Sequence, residues 1–118
     1  MPASYPRALR VADLIRRELS HLLLREVKDP RLQEVVVTGV AVSPDLRHAT
    51  VRFSCPAPEA RAVAGEGLAS AAGFLRHSLG RTLHLRYAPE LTFEADDSVD
   101  KSLHIEALIK RLHEDSGE

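Results

Sequence analysis

Between Arg7 and Glu26 the apolar residues Val11, Leu14, Ile15, Leu19, Leu22 and Leu23 recur at spacings of three and four, which places them on one stripe of an α-helix. Arg10, Asp13, Arg16, Arg17, Ser20 and His21 fill the remaining surface, so the helix is amphipathic. Lys28-Asp29-Pro30 ends it, because Pro30 has no N–H to donate and biases the residue before it away from helical backbone. The periodicity then changes. Residues 34–43 are rich in β-branched side chains, which favour a pleated surface, and Ser43-Pro44-Asp45-Leu46 supplies turn chemistry. From His48 to Cys55 the pattern alternates, with Ala49, Val51, Phe53 and Cys55 on one face and Thr50, Arg52 and Ser54 on the other. A β-hairpin with one buried and one wet face follows.

Pro56-Ala57-Pro58 closes that strand and opens an Ala-rich helix from about Glu59, weakened by Gly65 and Gly67. The helical pattern resumes with Phe74, Leu75 and Leu79 after Ala71-Ala72-Gly73, which predicts two helical segments meeting at a bend. Leu91, Phe93 and Ala95 alternate with Thr92 and Glu94 as a third strand. Asp96-Asp97-Ser98 offers capping side chains to a final amphipathic helix carrying Leu103, Ile105, Leu108, Ile109 and Leu112. The order αββααβ plus a last helix predicts an α+β domain, a three-stranded sheet covered by helices on one face. Thr50, Arg52, Thr92 and Glu94 would lie on the open face. The chain of 118 residues reads as one domain, with a core over about 7–112 and a short acidic tail at 113–118.

Net charge is −1, which conceals a division. Residues 1–89 hold 13 Lys/Arg against 8 Asp/Glu, whereas residues 90–118 hold 3 against 9. A basic body with an acidic end points to an anionic partner for the body. No apolar run approaches the roughly 20 residues of a bilayer span, the N-terminus lacks a secretory h-region, and Cys55 is a lone cysteine. A soluble protein of the reducing cytoplasm, without a membrane partner, is the expectation.

The candidate chemistry is basic. Arg7, Arg10 and Arg17 share one side of the first helix, and Arg76, His77, Arg81, His84 and Arg86 fall in a stretch with no acid between Glu66 and Glu90. Phosphate contact by Lys and Arg is the sequence-independent part of RNA affinity, and Arg also stacks on unpaired bases. The bland alternative is that these residues only solvate helix faces. Phe53, Phe74 and Phe93 sit at expected core positions, leaving Tyr87 as the one exposed ring and making an aromatic stacking sheet improbable. His21, His48, His77, His84, His104 and His113 are scattered without metal-ligand spacing, and helix capping accounts for the Asp96, Asp97 and Asp100 cluster. With no phosphate-cradling loop, nucleophile elbow or HExxH motif, neither a metal site nor another cofactor, nor a small-molecule substrate, nor catalysis is expected.

Several segments, in this order, resemble the ribosome-binding factor A family. They are Arg10-Val11-Ala12 through Glu18-Leu19, Lys28-Asp29-Pro30-Arg31-Leu32, Val40-x-Val42-Ser43-x-Asp45-Leu46-x-x-Ala49-x-Val51, Ala71-Ala72-Gly73-Phe74-Leu75-Arg76, and Leu85-Arg86-x-x-Pro89-Glu90-Leu91-x-Phe93-x-x-Asp96. The resemblance covers most of the chain, from about Arg7 to Leu112. It implies a KH-like fold of the bacterial type II in which Ala71, Ala72 and Gly73 form an interhelical kink. An ordinary KH module clamps single-stranded RNA with a GxxG loop, and this sequence has none. The resemblance further implies a monomeric, non-enzymatic factor for the maturing small (30S) ribosomal subunit, with 16S rRNA and ribosomal proteins as partners, that assists late 16S rRNA processing near its 5′ end. On this view Arg7, Arg10, Arg17, Arg76, Arg81, His84 and Arg86 make the RNA contacts. The alternative is a protein–protein adaptor or a generic RNA-binding module.

Overall fold

In the computed structural model, which describes residues 6–96 and 105–113, the first apolar stripe forms helix α1 (Arg7–Arg25). It buries Val11, Ala12, Ile15, Leu19, Leu22 and Leu23. The Glu26 N–H donates to the Leu22 carbonyl at the end of α1, and Lys28-Asp29 leads into a 3-10 turn at Pro30–Leu32. Asp29 shapes this turn by accepting the Arg31 backbone N–H at 2.9 Å and the Arg31 guanidinium at 2.7–3.1 Å. These bonds hold the Asp29 carboxyl below its ordinary pKa, the guanidinium bond contributing most. The turn drives Leu32 into the core.

Strands β1 (Val36–Val42) and β2 (His48–Ser54) form the expected antiparallel hairpin, with a bulge between Val37 and Gly39. A second 3-10 turn, Pro58–Ala60, opens helix α2 (Arg61–Thr82), and strand β3 (Glu90–Ala95) then lies parallel to β2, from His48↔Glu90 to Phe53↔Ala95. A parallel pair needs a crossover, which α2 supplies. The sheet order is β1-β2-β3. Thr38 on β1 donates to Asp96 beyond β3 at 2.7 Å, tying the two edge strands together across β2. Ala49, Val51 and Phe53 pack with the stripe of α1 and with Ala64, Leu68, Leu75 and Leu79 of α2, so both helices cover one face of the sheet. Arg52, Thr92 and Glu94 are exposed on the other face, and Thr50 is half-buried there. The fold is α+β, as the pattern predicts, and its arrangement is consistent with a KH-like domain.

Several expectations are corrected. The two helical segments expected to meet at Ala71-Ala72-Gly73 are one uninterrupted helix, Arg61–Thr82. Leu14 is exposed because it lies about 100° around the helix from the buried Ile15, outside the arc that the sheet and α2 cover. Phe74 stands in the same relation to the buried Leu75 and is also exposed, while Phe93 is half-buried against the core. Cys55 lies one residue past β2 and is half-buried, since the alternation stops with the strand. Residues 105–113 are helical, yet Ile105, Leu108, Ile109 and Leu112 remain exposed and add nothing to the core. The expected caps Asp97-Ser98, and Asp100, Leu103 and His104, lie outside the described residues. No helix among the described residues is long and apolar enough to cross a membrane.

Candidate nucleic-acid interface

The parallel pairing of β2 with β3 brings the tip of the β1–β2 hairpin beside the loop that follows α2, and the start of α1 meets them there. The hairpin tip is built around two side chains. Ser43 Oγ donates to Asp45 Oδ1 at 2.6 Å and accepts the His48 N–H at 3.1 Å, while Asp45 Oδ1 also accepts the Arg47 N–H at 3.0 Å. The Ser43 hydroxyl, followed by the Arg47 amide, holds the Asp45 carboxyl below the usual carboxylate range. Leu46 sits in this turn with φ of 64°, a left-handed conformation unusual for a leucine. The Arg47 carbonyl accepts the Glu90 N–H at 2.8 Å, which ties the tip to the start of β3.

The loop after α2 is equally constrained. At the helix end the Leu83 N–H donates to Leu79 O and the Leu85 N–H to Gly80 O, a Schellman-type closure whose left-handed position is usually glycine. Here it is His84, with φ of 52°. Gly80 allows the returning chain to approach: a Cβ at that position would stand 3.3 Å from the Ala88 Cβ. Arg76 fastens the same stretch through Nε to the Ala88 carbonyl at 3.1 Å, and Pro89 is buried. Held from both sides, the loop presents His84, Arg86 and Tyr87 outward. Arg47 from the hairpin lies 4.4 Å from the centre of the Tyr87 ring, and Arg86 lies 5.3 Å from it. The three segments enclose a hollow of about 250 Å³, lined by Arg7, Val11, Asp45, Leu46 and residues 84–87.

Arg7, His84 and Arg86 are thus brought together. The other predicted contacts lie further out. Arg10 is exposed one turn along α1, and Arg17 shares the α1 surface with Asp13, Arg16 and Ser20. Arg81 lines an open groove between α1 and α2 that also carries Glu18, Glu26 and Phe74. Arg76 and Arg81 are five residues apart, roughly 140° around α2, so they do not form one patch. Ala71 and Ala72 are half-buried, and Gly73 is exposed with open space where a Cβ would stand, so close packing does not require glycine there. Sequence reasoning missed Arg47, Asp45 and Leu46 as members of the site. The available signal was the turn itself, since a hairpin tip exposes what it carries, but its neighbour depends on sheet order.

Comparison with known proteins gives the same direction. The family model described as Ribosome-binding factor A matches residues 7–109. The chain is 46% identical over 112 residues to Ribosome-binding factor A of Syntrophobacter fumaroxidans, which covers 92% of this chain and 96% of that one. It resembles the crystal structure of ribosome-binding factor A from Thermus thermophilus with a TM-score of 0.67 at 25% identity, over 75% of this chain and 94% of that one. It also resembles a Thermus thermophilus ribosome-binding factor A fitted into the cryo-EM map of a 30S complex, with a TM-score of 0.56 at 26% identity over 71% of this chain and 93% of that one. Matched in sequence along nearly its whole length and in fold over most of it, the chain belongs to the ribosome-binding factor A family.

Proposed function

We propose that this protein is a monomeric, non-enzymatic assembly factor of the cytoplasm that binds the maturing 30S subunit and assists late processing of 16S rRNA near its 5′ end. The observation that carries the RNA reading is the convergence of Arg7, Arg47, His84 and Arg86 around Tyr87, contributed by three separate segments. Family membership and the Thermus relative fitted into a 30S complex support the partner.

Arg7, His84 and Arg86 form the centre of the contact, and Arg10, Arg17, Arg76 and Arg81 extend it along α1 and α2. Without a GxxG clamp, the charged rims of the helices and the rigid loop dock on folded RNA. Binding acts by population shift: the factor favours one precursor arrangement of the RNA by the free energy of its contacts with that arrangement.

Cosedimentation of the purified protein with small subunits, large subunits and free RNA tests the partner. Retention by small subunits alone supports the reading; equal retention by all three leaves a generic RNA binder. Cells carrying only the Arg7→Ala/Arg86→Ala variant are expected to accumulate 16S rRNA with an unprocessed 5′ end, and normal processing in them would oppose the proposal.

A further inference from the structure

We infer that the hollow between α1, the hairpin tip and the 83–89 loop is a seat for one unstacked nucleotide. Its base would lie against the Arg47–Tyr87 layer and the apolar wall of Leu46 and Leu85, and its phosphate between Arg7 and Arg86. The inference rests on the proposed RNA reading and names the element of RNA that this site takes.

Four observations carry it. The only two non-glycine residues with left-handed backbone among the described residues, Leu46 and His84, both line this hollow. Such conformations persist where surrounding structure enforces them, and they gather at ligand sites. Next, the ring and guanidinium of Tyr87 and Arg47 are already layered at 4.4 Å, and RNA bases stack on both kinds of surface. Arg7 and Arg86 also flank the opening, and α1 begins there with no acid in its first turn and no side-chain cap, so Asp45 is the one carboxylate in the lining. The wider groove between the helices sets Arg81 against two carboxylates, Glu18 and Glu26, and so is the less favourable place for a phosphate. Finally, about 250 Å³ lies a little below the roughly 300–1,000 Å³ of sites that enclose whole small molecules, which suits a base with its backbone left outside.

Asp45 adds a preference. The Ser43 and Arg47 hydrogen bonds to its carboxylate both fall on Oδ1, so Oδ2 of this lining residue is the oxygen left to accept from a ligand. An acceptor there favours a base with an exocyclic amine, and cytosine N4 is the simplest such donor. Cytosine and uracil differ at that position by amine against carbonyl, so they form a minimal pair.

The test measures fluorescence anisotropy of oligo(C), oligo(U) and a short RNA duplex with the full chain at pH 7. The single strands should bind more tightly than the duplex, and oligo(C) several-fold more tightly than oligo(U). Tyr87→Ala should weaken single-strand binding about tenfold while leaving duplex binding unchanged, and Tyr87→Phe, which keeps the ring, should bind like the parent. Asp45→Asn keeps the Oδ1 acceptor for the turn and replaces Oδ2 by a donor, so the preference for cytosine should vanish or invert. Equal affinity for strand and duplex together with no effect of Tyr87→Ala would overturn the nucleotide seat. In that event, continued cosedimentation with small subunits would leave the partner reading intact; loss of cosedimentation in the unaltered protein would remove both.

Discussion

His84 holds a backbone conformation that glycine would adopt without strain, and it does so at the centre of the proposed contact. His84→Gly is therefore expected to stabilise the fold by about 1 kcal/mol and to weaken binding to small subunits, the opposition expected where a strained residue serves function. Urea unfolding and cosedimentation measure the two effects, and a variant that gained both would remove His84 from the site. Two glycines of α2 give a sharper contrast. A Cβ on Gly67 would stand 2.9 Å from Leu32 Cδ2 and 3.2 Å from the Arg31 Cβ, whereas at Gly73 nothing lies within 4 Å. Gly73→Ala should raise stability by about 0.5–1 kcal/mol through helix propensity and reduced freedom of the unfolded chain. In Gly67→Ala that gain is opposed by overpacking of about 1–3 kcal/mol against a buried leucine, and a net loss is expected in the same denaturation series.

Among the elements, the two Asp-ordered turns give a pH signature. Asp29 and Asp45 both have folded pKa values below the ordinary one, because Arg31 hydrogen-bonds the first and the Ser43 hydroxyl and Arg47 amide the second. A depressed folded value means that their stabilisation is complete above the unfolded carboxylate pKa of about 3.9 and is lost as pH falls through the folded values. The midpoint of thermal unfolding should therefore drop on acidification below about pH 4, and the Asp29→Asn/Asp45→Asn variant should show a shallower acid limb. An identical limb would mean that neither turn holds in solution as it does here. The helical segment 105–113 behaves differently from α1 and α2, for its apolar residues are exposed. Leu108→Ser/Leu112→Ser should leave the unfolding midpoint nearly unchanged, whereas Leu75→Ala, in the fully buried part of α2, should cost about 2–5 kcal/mol.

At the scale of the molecule, most elements were legible because periodicity reports directly on burial: the stripe of α1, the alternation of β2 and the third strand all appear where the pattern places them. The width of a stripe is less legible, since whether Leu14 or Phe74 is covered depends on how far the opposing element reaches around the helix. The site was half legible for a related reason. Arg7 and Arg86 stood out as cations, with His84 beside Arg86 in sequence, in a chain whose acids are concentrated toward its end. Arg47 and Asp45 did not, because their place beside Tyr87 follows from β3 pairing parallel with β2, a choice of topology that no local pattern encodes. The +5 of residues 1–89 becomes a binding surface only when that topology gathers part of it at one end of the sheet. The most direct test of this gathered surface is the salt dependence of binding to isolated small subunits. Affinity of the unaltered protein should fall steeply with salt, and Arg7→Ala/Arg86→Ala should flatten the logarithmic slope by about 0.7–0.9 for each phosphate contact removed. An unchanged slope and affinity in that double variant would contradict the account.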